Sequence, residues 1–444
     1  MRWILGAVLV LGASGLGVPR ACADVVLVFA EQSHREPPKG AALSATTEDA
    51  ALTVTLGTGT VASEERGLRE IFDFPHRRYY RVNLADRSYE ERSLYTVLGL
   101  RTAELQHKLA LDAALGADKA DQTALVEPAL LEHLYSLTVS GQKTTVDRSH
   151  VDGTTIYRWK DKELMSVSDA GQVLPAGYAG SWWHWMRYHL GGHPKIYADL
   201  EKSPRVPDTL QVVRTNFGVE TLTLRLKSLN PDGGPAASLD GFKAWVPDGE
   251  PYATLRRLAA RDGNALEAWS ARAQRDRDDA YAEGRSLDAM LTHMAYTSGS
   301  GDRSPLWLTQ ARDRLGTDPL ASAFVAALSV SSREQLENAV KTLQGLRDRT
   351  HSPYVYVIDD FLGNDAVALG QLELAEKLYL AALSKNVLLA GAWFDLAKLY
   401  YLESRAPEAW ACWDAARELR PGHPLQLDID AYEHSLLTEH PEFF

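Results

Sequence analysis

From Asp24 to about residue 230 hydrophobic and polar positions alternate with a period of two. Leu52, Val54 and Leu56 alternate with Thr53 and Thr55, and Tyr80, Val82 and Leu84 with Tyr79, Arg81 and Asn83. Leu222, Leu224 and Leu226 stand against Thr221, Thr223, Arg225 and Lys227 in the same way. Successive side chains of a strand point to opposite faces, so the alternation predicts strands with one wet face. Turn residues at Pro75-His76 and Asp86-Arg87 separate the segments 68–74, 77–85 and 88–93, the layout of an antiparallel meander. Helices are predicted near 94–116 and 122–138 before strands resume around 143–168. Within 181–190, Trp182, Trp185, Met186 and Leu190 fall on one helical stripe while Trp183 and Tyr188 lie off it. A helix apolar over so much of its circumference has to be covered. Residues 229–239 read as a linker, rich in Gly and Pro. After Pro251 the period becomes helical and stays so.

The predicted fold class is therefore an α+β N-terminal domain, a curved antiparallel sheet with packed helices, followed by an all-α helical array. The domain boundaries read from the sequence are 1–23, 24–247 and 248–444. Residues 1–23 open with Met-Arg, run apolar from Trp3 to Ala13 and end in Ala21-Cys22-Ala23, the small-x-small pattern that signal peptidase accepts. Cleavage would leave Asp24 first and place the protein outside the cytoplasm, periplasmic or secreted. Membrane association would follow only if Cys22 were lipidated.

The order of strands and helices over the first 200 or so residues, with its aromatic segment, loosely resembles the half-barrel carriers of bacterial lipoproteins. That likeness implies a sheet curved around helices that shelters acyl chains. Trp182, Trp183, Trp185 and Met186 would then either fill a core or line a pocket for an apolar ligand.

The C-terminal region repeats with a 34-residue period. Trp393, Leu396, Ala397 and Tyr400 form one helix face, and Ala409, Trp413 and Ala416 the next, with Pro407 in its first turn and Pro421 at its end. Thirty-four positions earlier stand Leu362, Gly363, Ala375, Tyr379 and Ala382. Small residues at 397 and 409 suit a close helix crossing, and the large rings fill the groove beside it. This pattern resembles the tetratricopeptide (TPR) repeat, with clear copies at 356–389 and 390–423. The helices between 305 and 348, opened by Ser332-x-x-Gln335, would stack upstream as divergent copies, and a helix at 425–438 would cap the array. In the family the first helix of each repeat lines a groove that binds segments of partner proteins. Carried over by motif position, the groove residues are Asp360, Asn364, Phe394, Lys398 and Tyr401. Asp360 and Asp395 put negative charge where a carboxylate-capturing groove would need positive charge.

Charge narrows the partners. Lys and Arg number 47 against 59 Asp and Glu, a net charge of -12, and removal of residues 1–23, which carry only Arg2 and Arg20, gives 45 - 59 = -14. Such a chain has no long-range attraction for nucleic acid. With Cys22 and Cys412 alone, neither a disulfide framework nor a cysteine-ligated zinc site can be built.

No H-E-x-x-H, G-x-S-x-G or phosphate-binding loop occurs after residue 23. Thr297–Gly301 reads as an inter-helix loop. His184, His189 and His193, with Asp199 nearby, are the one arrangement of metal-ligand types, but Gly191, Gly192 and Pro194 break the helix among them. The expectation is a non-enzymatic protein-interaction scaffold with no catalytic residues, metal or cofactor, and another protein or peptide as partner. The alternative is a carrier or sensor of an apolar small molecule.

Overall fold

The computed structural model describes residues 24–38, 40–115, 127–139, 144–215, 218–233, 238–300, 306–330 and 332–444. The leader read from residues 1–23 lies outside the described residues. The described residues divide into two compact units: 24–245 with His434–Phe444, and Val246–Glu433.

The sheet unit opens with β1 (Val25–Glu36), β2 (Thr46–Leu56), β3 (Thr60–Glu65), β4 (Leu68–Asp73), β5 (Arg78–Asn83) and β6 (Ser88–Ser93). Then come α1 (Leu94–Leu115), α2 (Pro128–Tyr135), β7 (Asp147–Val151), β8 (Thr154–Trp159), β9 (Lys162–Ser168) and β10 (Gly171–Val173). It continues with α3 (Ala179–His189), α4 (Pro194–Leu200), β11 (Arg205–Pro207), β12 (Thr209–Thr215), β13 (Val219–Asn230) and β14 (Lys243–Ala244). Twelve strands form one sheet in the order β14-β6-β5-β4-β3-β2-β1-β13-β12-β9-β8-β7, and β10 pairs with β11 apart from it. Every pair in the large sheet is antiparallel except β14 with β6. The meander read at 68–93 is present as β4–β6.

The period-two pattern explains which face is covered. Val25, Leu27, Phe29, Leu52, Val54 and Leu56 are all at most 2% exposed. Phe29 stacks on Trp182 of α3, ring centroids 5.6 Å apart and nearly parallel, and Ser181 donates to Gly57 O at 3.0 Å. Helix α3 is thus laid on the apolar face of β1–β3. Its C-terminal carbonyls, orphaned by helix geometry, are satisfied from three directions. Arg101 donates to the carbonyls of Arg187 and Tyr188, Arg214 to those of His189 and Leu190, and the Tyr197 hydroxyl to that of Gly191 just beyond the helix at 2.5 Å.

Two boundaries differ from the sequence reading. β13 runs on to Asn230, into the segment read as linker, because it stays paired with β1 through Val26↔Asn230. Residues 434–444, read as the end of the helical domain, belong to the sheet unit. The reason is burial: Phe443 is fully buried, its ring meets Tyr188 edge-on at 5.2 Å, and its carbonyl accepts from the Tyr188 hydroxyl at 3.0 Å. Phe444 packs on Tyr95 at 5.2 Å.

The helical unit contains α5 (Tyr252–Ala259), α6 (Ala265–Ala282), α7 (Ser286–Ser300), α8 (Leu306–Thr317), α9 (Pro319–Ala327) and α10 (Arg333–Arg349). It continues with α11 (Tyr356–Ala368), α12 (Leu372–Lys385), α13 (Ala390–Leu402) and α14 (Ala406–Leu419); α15 (Gln426–Glu439) follows. Helix α7 carries on through Ser300, so Thr297–Ser300 is helical where the sequence reading expected a loop. The Ser332/Gln335 capping box closes reciprocally at 3.2 and 3.1 Å. Sequence neighbours pair, α11 on α12 and α13 on α14. A Cβ built on Gly363 would stand 2.5 Å from the Tyr379 ring, so α11 and α12 approach closer than any side chain there would allow. Ala397 and Ala409 are fully buried, as close approach of α13 and α14 requires.

Candidate functional site

Helix α13 presents Phe394, Lys398 and Tyr401 at i, i+4 and i+7, on one face. Trp413 of α14 and Ile429 and Tyr432 of α15 complete a cavity of about 210 Å³ with them, and Asp395 and Asp428 supply its carboxylates. Three of the five residues assigned to the groove from the sequence, Phe394, Lys398 and Tyr401, therefore meet at one place. Asp360 and Asn364 do not line the cavity but stand behind it. Asn364 Nδ2 donates to Asp395 Oδ2 at 3.3 Å, and the Tyr379 hydroxyl donates to Asn364 Oδ1 at 2.8 Å.

The walls differ in how they are held. Lys398 and Asp428 are exposed. Phe394 is 2% exposed and stacks on His423 at 5.0 Å, so it serves as cavity floor and as core at once, unlike the free-standing groove residue the sequence reading made of it. Tyr401 is half-buried in a cluster of rings, 6.0 Å from Trp410, 5.8 Å from Trp413 and 5.6 Å from Tyr432.

Electrostatically the cavity is one-sided. Burial lifts the Asp395 carboxyl to about 6, against the pull of the Asn364 hydrogen bond and of Lys398. Asp360 is held well above the usual carboxylate range by burial and by the charges of Asp395 and Asp359. Its Oδ1 is sealed from solvent and has no hydrogen-bond partner among the described residues. Two carboxylates that cannot both ionise comfortably so close together are a departure from ordinary packing.

Trp413, Asp428, Ile429 and Tyr432 were not read as site residues. The sequence signal was there: Leu425, Ile429 and Tyr432 recur at i, i+4 and i+7. The stripe reads as the buried side of a cap, and nothing in it says that the capping helix stops short of α13 and leaves a cavity.

In the sheet unit Trp182, Trp183, Trp185 and Met186 are at most 3% exposed. Trp182 packs on Trp183 and Trp185 at 6.1 and 5.3 Å, and Trp183 lies edge-on to Tyr197 at 6.4 Å. The three histidines of this region go to different partners. His184 meets the Phe74 ring edge-on at 5.1 Å, and burial with Arg187 nearby pushes it down to about 4. His189 stacks on Trp185 at 4.6 Å and lies 3.6 Å from the buried Glu31. His193 is 1% exposed, with Nε2 2.5 Å from Glu132 and Nδ1 accepting the Lys195 N–H at the start of α4. Since Nδ1 accepts, Nε2 carries the proton and donates to Glu132. Thr144 also donates to Glu132 and lies 3.2 Å from His193. This is a sealed polar network with its hydrogen bonds spoken for. Asp199 accepts from the Tyr157 hydroxyl at 2.7 Å. Among the described residues no group of three or more His, Cys, Asp or Glu is placed to hold a metal ion.

A second cavity, of about 290 Å³, is lined by His189 and, from β3–β5, by Ser63, Glu65, Glu70 and Arg81. Burial and the charge of Glu31 raise Glu65. The two signs of charge are mixed around it, so it does not select one.

No family model matches this sequence, and no curated protein matches it at a significant level.

Proposed function

We propose that the protein is an exported, non-enzymatic adaptor whose helical unit holds a segment of a partner protein in the cavity beside α13. The observation that carries this reading is the lining of that cavity: four aromatic rings with polar groups at defined places, in which a few side chains can supply most of a binding energy. The TPR-like spacing of 356–423 supports it, since the lining residues of α13 are those the repeat turns towards a groove. Export rests on the Ala21-Cys22-Ala23 ending of the leader.

The test is to select binders from a displayed random dodecapeptide library on the full chain, and then to map their contact by photo-crosslinking. A photoreactive amino acid placed at position 398 or 428 should capture the selected peptides at least about tenfold more efficiently than one at Glu373 or Lys377, exposed positions on α12. Equal yields at all four positions, or no enriched peptide, would overturn the reading.

A further inference from the structure

The cavity beside α13 has more to say about its occupant than that it is a peptide. Its polar groups are acceptors in excess. Asp395 receives one long hydrogen bond, from Asn364 at 3.3 Å. Asp428 is exposed and has no ion pair among the described residues. Behind Asp395, the sealed Oδ1 of Asp360 receives no hydrogen bond among the described residues. Among the described residues Lys398 is the one cation on the wall.

An apolar occupant would desolvate Asp395 and Asp428 without compensating either, which is expensive. An acidic one would add a like charge. A cationic donor fits on both counts, because it supplies hydrogen bonds to the carboxylates and its charge is attracted by the faces of the surrounding rings. A cavity of about 210 Å³ has room for one long side chain rather than a folded element. The chain's net charge of -12 would steer a basic partner towards it.

Resting on the adaptor reading above, we propose that this cavity takes a basic side chain, lysine or arginine, of an extended partner segment. The charge is held between Asp395 and Asp428, and the alkyl stem lies against Phe394, Tyr401, Trp413 and Tyr432.

Pools of capped nonapeptides on beads, with the central residue fixed as Lys, Arg, citrulline, Leu or Glu and the other positions randomised, test this on the full-length protein. The Lys or Arg pool should retain at least about tenfold more protein than the citrulline and Glu pools. Asp395→Asn with Asp428→Asn should reduce that preference to less than about twofold, with thermal melts reporting that the variant is folded. Asp428→Asn alone alters only an exposed side chain and should still cut the preference several-fold, which keeps the test decisive if the double variant does not fold. A Leu or Glu pool retained best overturns the cationic occupant while the adaptor reading stands. Retention of no pool above bare beads overturns both. An undiminished Lys or Arg preference in the Asn variants places the basic side chain elsewhere and overturns the assignment to this cavity.

Discussion

The two units hold their partly buried carboxylates differently around the sites described above. In the sheet unit several carboxylates have a partner of opposite sign or a hydroxyl: Glu132 with His193 at 2.5 Å, Glu201 with Arg187 at 2.5 Å, Asp199 with Tyr157 at 2.7 Å, Glu220 with Arg35 at 2.9 Å. The result is that Glu132, Asp199, Glu220 and Glu442 are all held below the ordinary carboxylate range. The helical unit pairs charges too, as Arg405 with Glu376 at 3.0 Å, but beside its cavity it encloses like charges. Asp360 and Asp395 are raised there, while Asp365, to about 6, is raised by burial alone and Glu433 by burial in spite of its ion pair with Arg417 at 2.9 Å. Groups enclosed against their own preference mark a place where the fold is not arranged for stability alone, and such places concentrate at functional sites.

The sharpest way to break this comparison is through packing. If the sheet unit is a filled core, Trp185→Ala, which empties a fully buried position, should cost about 3–5 kcal/mol in denaturant unfolding. Gly363→Leu should be as damaging to the helical unit, since any side chain there meets the Tyr379 ring. Local hydrogen exchange should then assign each loss to its own unit. Spread of either loss evenly over both units would mean that they unfold as one, and that contrasts between them have no separate thermodynamic meaning.

Acid should separate the units next. His133 is driven down to about 3, mainly by burial, and His184 to about 4. Both stay neutral in the native state while the unfolded chain takes up protons below about pH 6.5, so their contribution falls away as the pH drops from there, by about 2 kcal/mol for each at pH 5. The lowered carboxylates add to the loss at still lower pH, while Asp24 and Glu65, raised by burial, work the other way. In the helical unit the raised carboxylates take up protons in the native state before the unfolded chain does. That unit therefore gains stability as the pH falls from above 6 towards 4. Hydrogen exchange at pH 7 and 5, corrected for intrinsic rates, should show protection falling in the sheet unit and rising in the helical one. A fall in both would remove the contrast.

The smallest effect is the most specific. Asp360→Asn keeps the shape and removes the charge, so at pH 7.5 it should stabilise the helical unit in denaturant unfolding. The gain should shrink as the pH falls, because the raised wild-type group takes up its proton before the unfolded chain does. Destabilisation at pH 7.5 would mean that the Asp360 charge is compensated after all.

What could be read in advance follows the range of the interaction. Leu52, Val54 and Leu56 announce β2 because one strand face is buried over its whole length, and that is a local pattern. The close crossing at Gly363 and Ala397 was legible because a small residue at a fixed place in a repeat carries its reason with it. Glu31, one of the inward positions of β1 and 8% exposed, was illegible, since only the distant His189 accounts for it. Half of the cavity was equally hidden. Phe394, Lys398 and Tyr401 lie on one helix and can be counted off, whereas their meeting with Ile429 and Tyr432 depends on how α15 packs. The same holds for His193, which sequence spacing grouped with His184 and His189 and which the fold gives to Glu132.

The sheet unit is discontinuous in sequence: Phe443 fills its interior, yet residues 246–433 come between it and the strands it helps to cover. Chains are made from the N-terminus, and domains ordinarily close in that order as they emerge. Here the earlier unit waits for the later one. Until residues 434–444 have been made, Tyr188 and Arg101 lack the Phe443 carbonyl and ring that they meet in the folded unit. During synthesis the sheet unit therefore cannot complete its core until its last-made segment has been added.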